Sequence, residues 1–259
     1  MAKKNTESAI PRWKRLKTAV IEKWRAFIAL FPLVGKTVIW STRIFIVIFL
    51  LDTGYLIGIW PEWKWYVDGP IPQSQFIQQY QRDSWQDRSR PRLRWKTVKW
   101  EDIPDNLVRA VLTAEDSHFY RHDGIDTEAF KKAMEYNWSQ KRFVYGASTI
   151  SQQTAKNLFL SPSRNPFRKW HELVLTFAME QNLKKSRILT LYLNVAEFGQ
   201  GVYGIEAAAQ KYWGVRAKDL TKTQAIELAA TLPAPRKHNP RTRSAFFLKQ
   251  TVKIKKNMG

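Results

Sequence analysis

Cysteine is absent, and with it go disulfide staples, thiol nucleophiles and thiolate metal sites. Acidic residues are scarce: 22 Asp and Glu stand against 43 Lys and Arg, a formal net charge of +21. Such a field suits nucleic acid, an anionic membrane surface or a phosphate-bearing substrate, and charge alone does not choose among them. No internal repeat is evident, and strand signals are few. Apolar and aromatic side chains are plentiful, 44% and 14% of 259 residues with twelve Trp, which excludes disorder over most of the chain. The length suits one core of about 150 to 200 residues plus an N-terminal extension, with no room for more than one full extra domain.

A long uncharged hydrophobic run is missing too. Ile44 to Leu51 is too short to cross a bilayer, which takes about 20 mostly apolar residues. A span therefore has to begin near Val38, end at Trp60 and include Arg43 and Asp52. A central Asp costs roughly 2.5 to 3.5 kcal/mol on insertion scales, offset by the surrounding Ile, Leu, Phe, Val and Trp, while Arg43 can snorkel toward the headgroups. Residues 1–43 carry ten Lys or Arg against Glu7 and Glu22. Trp60, Trp63, Trp65 and Tyr66 stand where an aromatic belt would mark the opposite interface. The expectation is one membrane span over 38–60, with 1–37 a cytoplasmic basic segment and the remainder exported; the competing reading is the core helix of a soluble protein. A cleaved signal is not expected, because PEWKWYVDGP follows the apolar stretch in place of a small-residue site.

Residues 61–97 are polar, Pro-punctuated and rich in Arg and Gln, and read as a linker or irregular leading segment. From Asp102 the pattern is helical, so a mainly α domain is expected over 98–235, followed by a basic segment, 236–259, that is either helix or disordered tail. Asn165-Pro166 suits a helix start, Ser186 a cap, Thr221 with Gln224 a capping box, and Gly214 a helix stop.

Val108, Leu112 and Glu115 fall at i, i+4 and i+7, which puts a carboxylate on an apolar helix face. In a partly apolar cleft, desolvation would raise its pKa toward the range of a general base or acid near neutrality; otherwise the helix has ended and Glu115 is merely solvated. In GASTISQQTAKN, Thr149 and Gln152 have capping-box spacing, and Thr149, Gln152 and Lys156 share one face. A helix N-terminus with a lysine suits anionic oxygen, and an exposed amphipathic helix is the plainer reading. Ser148 has no base placed beside it by local spacing. Arg168 and Glu172 form an i, i+4 pair on a helix apolar on nearly every side, so Glu172 is a candidate second buried acid. His171-Glu172 does not open a zinc HExxH, since Leu175 replaces the second histidine, and the i, i+4 pair His118 and His122 lacks a further clear ligand.

Taken together, EDSHFYRHDG (115–124), GASTISQQTAKN (146–157), RKWHE (168–172), KSRILTLYLN (185–194) and GVYGIEAAAQKYWG (201–214) resemble glycosyltransferase family 51, the peptidoglycan glycosyltransferases, and among them the monofunctional biosynthetic transglycosylases. The resemblance runs from about Val98 to Pro235. It implies a mainly α, lysozyme-like, two-lobed domain whose smaller jaw touches the membrane, acting on lipid II, an undecaprenyl-diphosphate disaccharide pentapeptide. By resemblance Glu115 would deprotonate the acceptor sugar's 4-hydroxyl, forming a β-1,4 bond with release of undecaprenyl diphosphate. Lys156, Arg164 and Arg168 match the basic positions near the diphosphates, while Ser148, Thr149, Gln152, Gln153 and Asn157 would hold substrate oxygens. Asp116, Phe119 and His122 would shape the cleft. Glu172 matches the second glutamate, whose role stays open: orientation, assistance to the leaving group, or holding a divalent cation. No cofactor is required by the sequence; Mg or Mn near Glu115 or Glu172 is what the resemblance allows. Trp213 stands where the family commonly has Phe, and the 45 residues after Gly214 leave no expectation of a transpeptidase domain.

The implied partners are lipid II, the growing lipid-linked glycan, the membrane, and division or elongation proteins, with no nucleic acid. The implied location is the bacterial inner membrane, single-pass, with the catalytic domain on the periplasmic side. Phe130 to Phe143 mixes Phe130, Met134 and Trp138 with Lys131, Lys132, Lys141 and Arg142, as an interfacial helix would. A lytic transglycosylase would share fold and glutamate without needing cations for a diphosphate. A tethered basic scaffold for wall polymer or nucleic acid would leave Glu115 and Glu172 without purpose.

Overall fold

A computed structural model describes residues 12–30, 32–142, 146–162 and 167–259. The chain divides between Ile59 and Trp60 into two units. The first consists of α1 (Arg12–Leu30) and α2 (Pro32–Gly58). Within α2, Gly35–Gly58 has a mean hydropathy of 1.5 and its apolar stretch is not buried in the protein, so it is long and apolar enough to cross a membrane. It begins three residues before the expected span and stops two residues short of Trp60. The hydroxyls of Thr42 and Thr53 bond back to the carbonyls of Val38 and Phe49, at 2.9 and 2.8 Å, so neither needs water as a partner.

The second unit is mainly α, as expected. It runs α3 (Trp63–Asp68), α4 (Gln75–Gln86), β1 (Arg94–Trp95), α5 (Asp105–Glu115), α6 (Thr127–Ser139), α7 (Ile150–Phe159), α8 (Arg168–Asn182), α9 (Lys185–Val195), β2 (Glu197–Gly199), β3 (Val202–Tyr203), α10 (Ile205–Trp213), α11 (Lys222–Thr231) and α12 (Ala245–Asn257). Every residue of α9 from Ile188 to Val195 is buried, which makes it the central helix. α7 packs on α8 and α9, and α11 packs on α5 and α12. The short sheet has the order β1-β3-β2, with β1 parallel and β2 antiparallel to β3.

The segment 61–97, read as a linker or an irregular leading segment, is folded into this unit. Ser74 caps α4 through the Ile77 amide, Ile77 and Tyr80 are buried, and Trp63 and Tyr66 of α3 stack edge-on against Phe159. Arg187 of α9 donates to the carbonyls of Tyr66 and Gly69, at 2.7 and 2.5 Å. Asn194 closes the other end: its side chain accepts from the Val98 amide at 2.8 Å and donates to the Val98 carbonyl at 3.0 Å, while Trp95 Nε1 donates to its backbone carbonyl. These are pairings across about a hundred residues, invisible to local periodicity. The C-terminal segment is likewise packed, with Phe247 and Ile254 of α12 buried.

Cap expectations hold in part. Thr221 and Gln224 form the capping box of α11, and Gly214 ends α10 at φ 70°, where a side chain would be strained. Ser186 does not cap α9; the helix starts earlier, with Lys184 in the cap position. Asn165 and Pro166 lie outside the described residues.

Candidate active site

Glu115 is the last residue of α5, one turn beyond the buried Val111. The core face of the helix is Leu107, Ala110 and Val111, with Val108 and Leu112 only half-buried. The apolar stripe that the sequence shows over Leu107, Val108, Val111 and Leu112 is thus buried along Leu107 and Val111, and Glu115 lies at its edge. Burial raises the pKa of its carboxyl, opposed by a hydrogen bond from Gln153 and the charge of Lys156 and reinforced by Asp116. Gln153 Nε2 donates to Glu115 Oε2 at 2.8 Å, and the buried Tyr192 hydroxyl donates to Gln153 Oε1 at 3.1 Å. Tyr192 titrates far above its usual range through burial, so it remains a donor, and this fixes which end of the amide faces Glu115. Among the described residues Glu115 Oε1 carries no hydrogen bond.

Beyond Glu115 the chain turns back through Asp116, which is buried and fully engaged. Its Oδ2 accepts from the Ile150 amide at 2.9 Å and its Oδ1 from His122 Nε2 at 3.0 Å. Gly124 N donates to His122 Nδ1 at 3.2 Å, so the ring proton is on Nε2 and points at Asp116. The loop 116–124 is therefore tied to the first turn of α7. This corrects two expectations. The N-terminus of α7 is occupied by the protein's own carboxylate, which leaves less of it for a substrate anion. His118 and His122 are not on a helix: His118 pairs with Asp126 at 2.8 Å, while Asp126 caps α6. We expect Asp116→Asn to lower unfolding stability by about 1–3 kcal/mol in urea, because its amide would present a donor to His122 Nε2–H.

Thr149 and Gln152 form the expected capping box, and the Thr149 hydroxyl also donates to the Gly124 carbonyl at 2.6 Å. Both are buried, so α7 is a core helix and not an exposed amphipathic one. Ser148 is exposed. Phe119 is buried beneath His122 and Lys185, whose Nζ lies 4.6 Å from the ring centre. Lys185 also donates to the His122 carbonyl and to Glu180 Oε1, at 2.5 and 2.7 Å, and Ser151 donates to the same Glu180 oxygen. Lys185, Glu180 and Tyr192 thus support the site without having been singled out in the sequence. Lys185 and Tyr192 lay inside the KSRILTLYLN motif; Glu180 carried no signal.

Lys156 leaves α7 one turn after Gln153. Burial lowers its pKa, Glu172 and Glu115 raise it, and Arg168 and Lys169 lower it. It therefore stands within the field of both glutamates and of two further cations. Glu172 is buried, as expected, but its partner is Lys169 at i−3, not Arg168. Arg168, in the first turn of α8, is half-buried, and Arg164 lies outside the described residues. Asn157 lines a cavity of about 140 Å³ together with Gln153, Lys156, Tyr192, Glu197 and Tyr203. Among the described residues no group of three or more His, Cys, Asp or Glu side chains converges as a metal site; Lys156 stands in the field of both Glu115 and Glu172, and Lys169 pairs with Glu172 directly.

Residues 83–259 match the family described as Transglycosylase. A biosynthetic peptidoglycan transglycosylase of Herminiimonas arsenicoxydans is 42% identical over 196 residues, 75% of this chain and 84% of that protein. One from Azoarcus sp. (strain BH72) is 42% identical over 200 residues, 77% and 86% of the two chains, and one from Laribacter hongkongensis is 37% identical over 223 residues, 86% and 96%. A match over more than half the chain, with relatives of this similarity covered along most of their length, places the chain in the transglycosylase family.

Proposed function

We propose that the chain is a peptidoglycan glycosyltransferase that polymerises lipid II into β-1,4 glycan in cell wall synthesis. One observation carries the reading: a desolvated glutamate held by Gln153 lies within the field of Lys156, itself flanked by Glu172, Arg168 and Lys169. Glu115 supplies the base. Its raised affinity for protons suits it to take the acceptor 4-hydroxyl proton on the oxygen that Gln153 leaves open, as that hydroxyl attacks the anomeric carbon. The bond to the lipid diphosphate breaks, and the charge developing on the leaving diphosphate is met by Lys156 and Arg168, with Arg164 matching the same role by its motif position. Cleavage of a finished glycan would generate no diphosphate and would leave these cations without work.

The substrate is lipid-borne, and the protein is built to stay with it. α2 serves as the membrane anchor, with the basic N-terminal residues on the cytoplasmic side and the catalytic unit on the outer face. Phe130, Met134 and Trp138 of α6 share one face and are 53%, 44% and 85% exposed, flanked by exposed Lys131 and Lys132. This face enters the outer leaflet. In a protein lacking residues 1–59, Ser at all three positions is expected to weaken sedimentation with anionic vesicles about tenfold or more, given roughly 1.5–3 kcal/mol for each large apolar side chain fully transferred. Undiminished binding would sink the assignment.

The activity is tested by giving the full chain in detergent labelled lipid II in one reaction and preformed, lipid-free glycan in another. Growth of glycan from lipid II supports the reading. Shortening of preformed glycan with lipid II untouched would replace it by the lytic one, and inertness toward both would leave a scaffold.

A further inference from the structure

A second cavity, of about 430 Å³, is lined by Arg94, Lys211, Tyr212, Trp213, Arg241 and Arg243, with Glu227 and Pro240 completing it. Four cations meet there with one carboxylate. Arg243 donates to Glu227 at 3.1 Å; among the described residues, Arg94, Lys211 and Arg241 pair with no acid. The pKa of Lys211 is lowered, first by burial and then by the charges of Arg94 and Arg241. Three cations gathered without an acid of their own, around a carboxylate already taken by Arg243, repel one another, so their convergence marks a place where an anion would be welcome.

The cavity is also built stiffly. Arg241 and Arg243 are presented by a turn folded around the buried Asn239, whose Oδ1 accepts from the amides of Arg241 and Thr242, both at 3.1 Å, and whose Nδ2 donates to the Pro235 carbonyl at 2.9 Å. Arg243 is held at φ 43°, in the left-handed region that side chains seldom occupy. The Tyr212 hydroxyl donates to the Phe198 carbonyl at 2.6 Å, which fixes its ring, and Trp213 meets it edge-on at 5.7 Å. Guanidinium forks take carboxylate or phosphate, and fixed aromatic faces take the apolar side of a sugar or peptide.

Position relates this cavity to the chemistry. Arg94 pairs in register with Val202, next to Tyr203, and Tyr212 holds Phe198, next to Glu197. Glu197 and Tyr203 line the small cavity that contains Gln153, Lys156 and Tyr192. Two residues of the second cavity, Arg94 and Tyr212, therefore attach to the β2–β3 hairpin at positions adjacent to those that line the first.

We propose that this second cavity binds the carboxylates of peptide stems on the glycan that the active site builds. The inference rests on the reading that the chain handles peptide-bearing glycan, which is the one ligand in that chemistry presenting sugar faces and clustered carboxylates together. The test uses the full chain carrying Glu115→Gln, so that nothing is consumed, titrated in detergent with a lipid-free tetrasaccharide bearing its stems. The comparison ligands are the same tetrasaccharide stripped of stems by an amidase, and pyrophosphate. The stem-bearing ligand is expected to bind about tenfold or more tightly than the stripped one, and Arg94→Gln/Lys211→Gln/Arg241→Gln is expected to abolish that advantage. Raising salt should erode it as well. Should the triple variant melt below its parent, Arg241→Gln alone, on an exposed turn residue, is expected to weaken stem binding about threefold or more. Equal affinity for stripped and stem-bearing ligand, stem binding indifferent to these substitutions, or capture of pyrophosphate by the cavity in place of stems would each overturn the proposal. Polymerisation of lipid II by the parent without charge-dependent stem binding removes this site and keeps the activity; stem binding without polymerisation does the reverse.

Discussion

Glu115→Gln is expected to slow lipid II polymerisation by about 10²- to 10⁴-fold, the range associated with a positioned general base, while the variant melts at a higher temperature than the parent. The two effects have one cause. Burial raises the pKa of the Glu115 carboxyl, so the folded protein holds that proton more tightly than the unfolded chain does. Stability from this group is complete below the unfolded pKa and is lost as pH rises through the folded one, and at neutral pH the ionised carboxylate is a burden on the fold. Glutamine carries no such burden and can still accept from Gln153 Nε2, which donates to Glu115 at 2.8 Å. Parent activity should fall on acidification at a higher pH than an ordinary glutamate would dictate, because the base works only when ionised. A variant that loses activity and also melts lower would contradict the account, since misfolding would then explain the loss.

Lys156→Met has the second largest expected effect: a fall of about 10²- to 10³-fold in kcat, the scale seen when one preorganised charge-stabilising group is removed from a transition state. KM should move much less, since the charge on the leaving diphosphate grows as the bond breaks. The variant also reports on Glu115. Lys156 lowers the carboxyl's pKa, so its removal should carry the acidic limb of the pH–rate profile to higher pH. Lys156→Arg keeps the charge and should keep that limb near its parental position, even if the bulkier guanidinium costs rate. An unshifted limb in Lys156→Met would show that the lysine does not face the base.

How much of this was readable in the chain depends on the reach of each interaction. The capping boxes at Thr149 and Thr221 and the stop at Gly214 span at most three residues, and spacing alone disclosed them. The buried state of Glu172 followed from the apolar helix around it, yet its partner did not: i, i+4 spacing pointed to Arg168, and the shorter reach to Lys169 at i−3 prevailed. Within the apolar stripe of α5, spacing did not tell which half is buried, because Val108 and Leu112 are as apolar as Leu107 and Val111. What periodicity could not show was anything closed by distant partners. Residues 61–97 read as a linker or irregular leading segment because their apolar side chains follow no sustained period. Trp63 and Tyr66 pack on Phe159, Arg187 donates to the carbonyls of Tyr66 and Gly69, and Asn194 braces the adjoining Val98, all from helices about a hundred residues later. Glu180 was silent, and the motif around Tyr192 did not disclose its role, for the same reason: both depend on partners, Lys185 and Gln153, arriving from other elements.

The pairing of β1 with β3 has a consequence for how the domain comes together in time. Arg94 and Trp95 find their strand partners at Val202 and Tyr203, and the brace on Val98 comes from Asn194, so the leading strand has nothing to join until the middle of the domain exists. A chain made from its N-terminus carries this stretch unpaired through the synthesis of about a hundred residues, and closing so long a loop is entropically costly and slow. The earliest part of the catalytic unit to be synthesised is therefore among the last to be locked. In refolding, hydrogen-exchange protection of the Arg94 amide, which donates to the Gly201 carbonyl at 2.7 Å, should trail protection of the amides within α9.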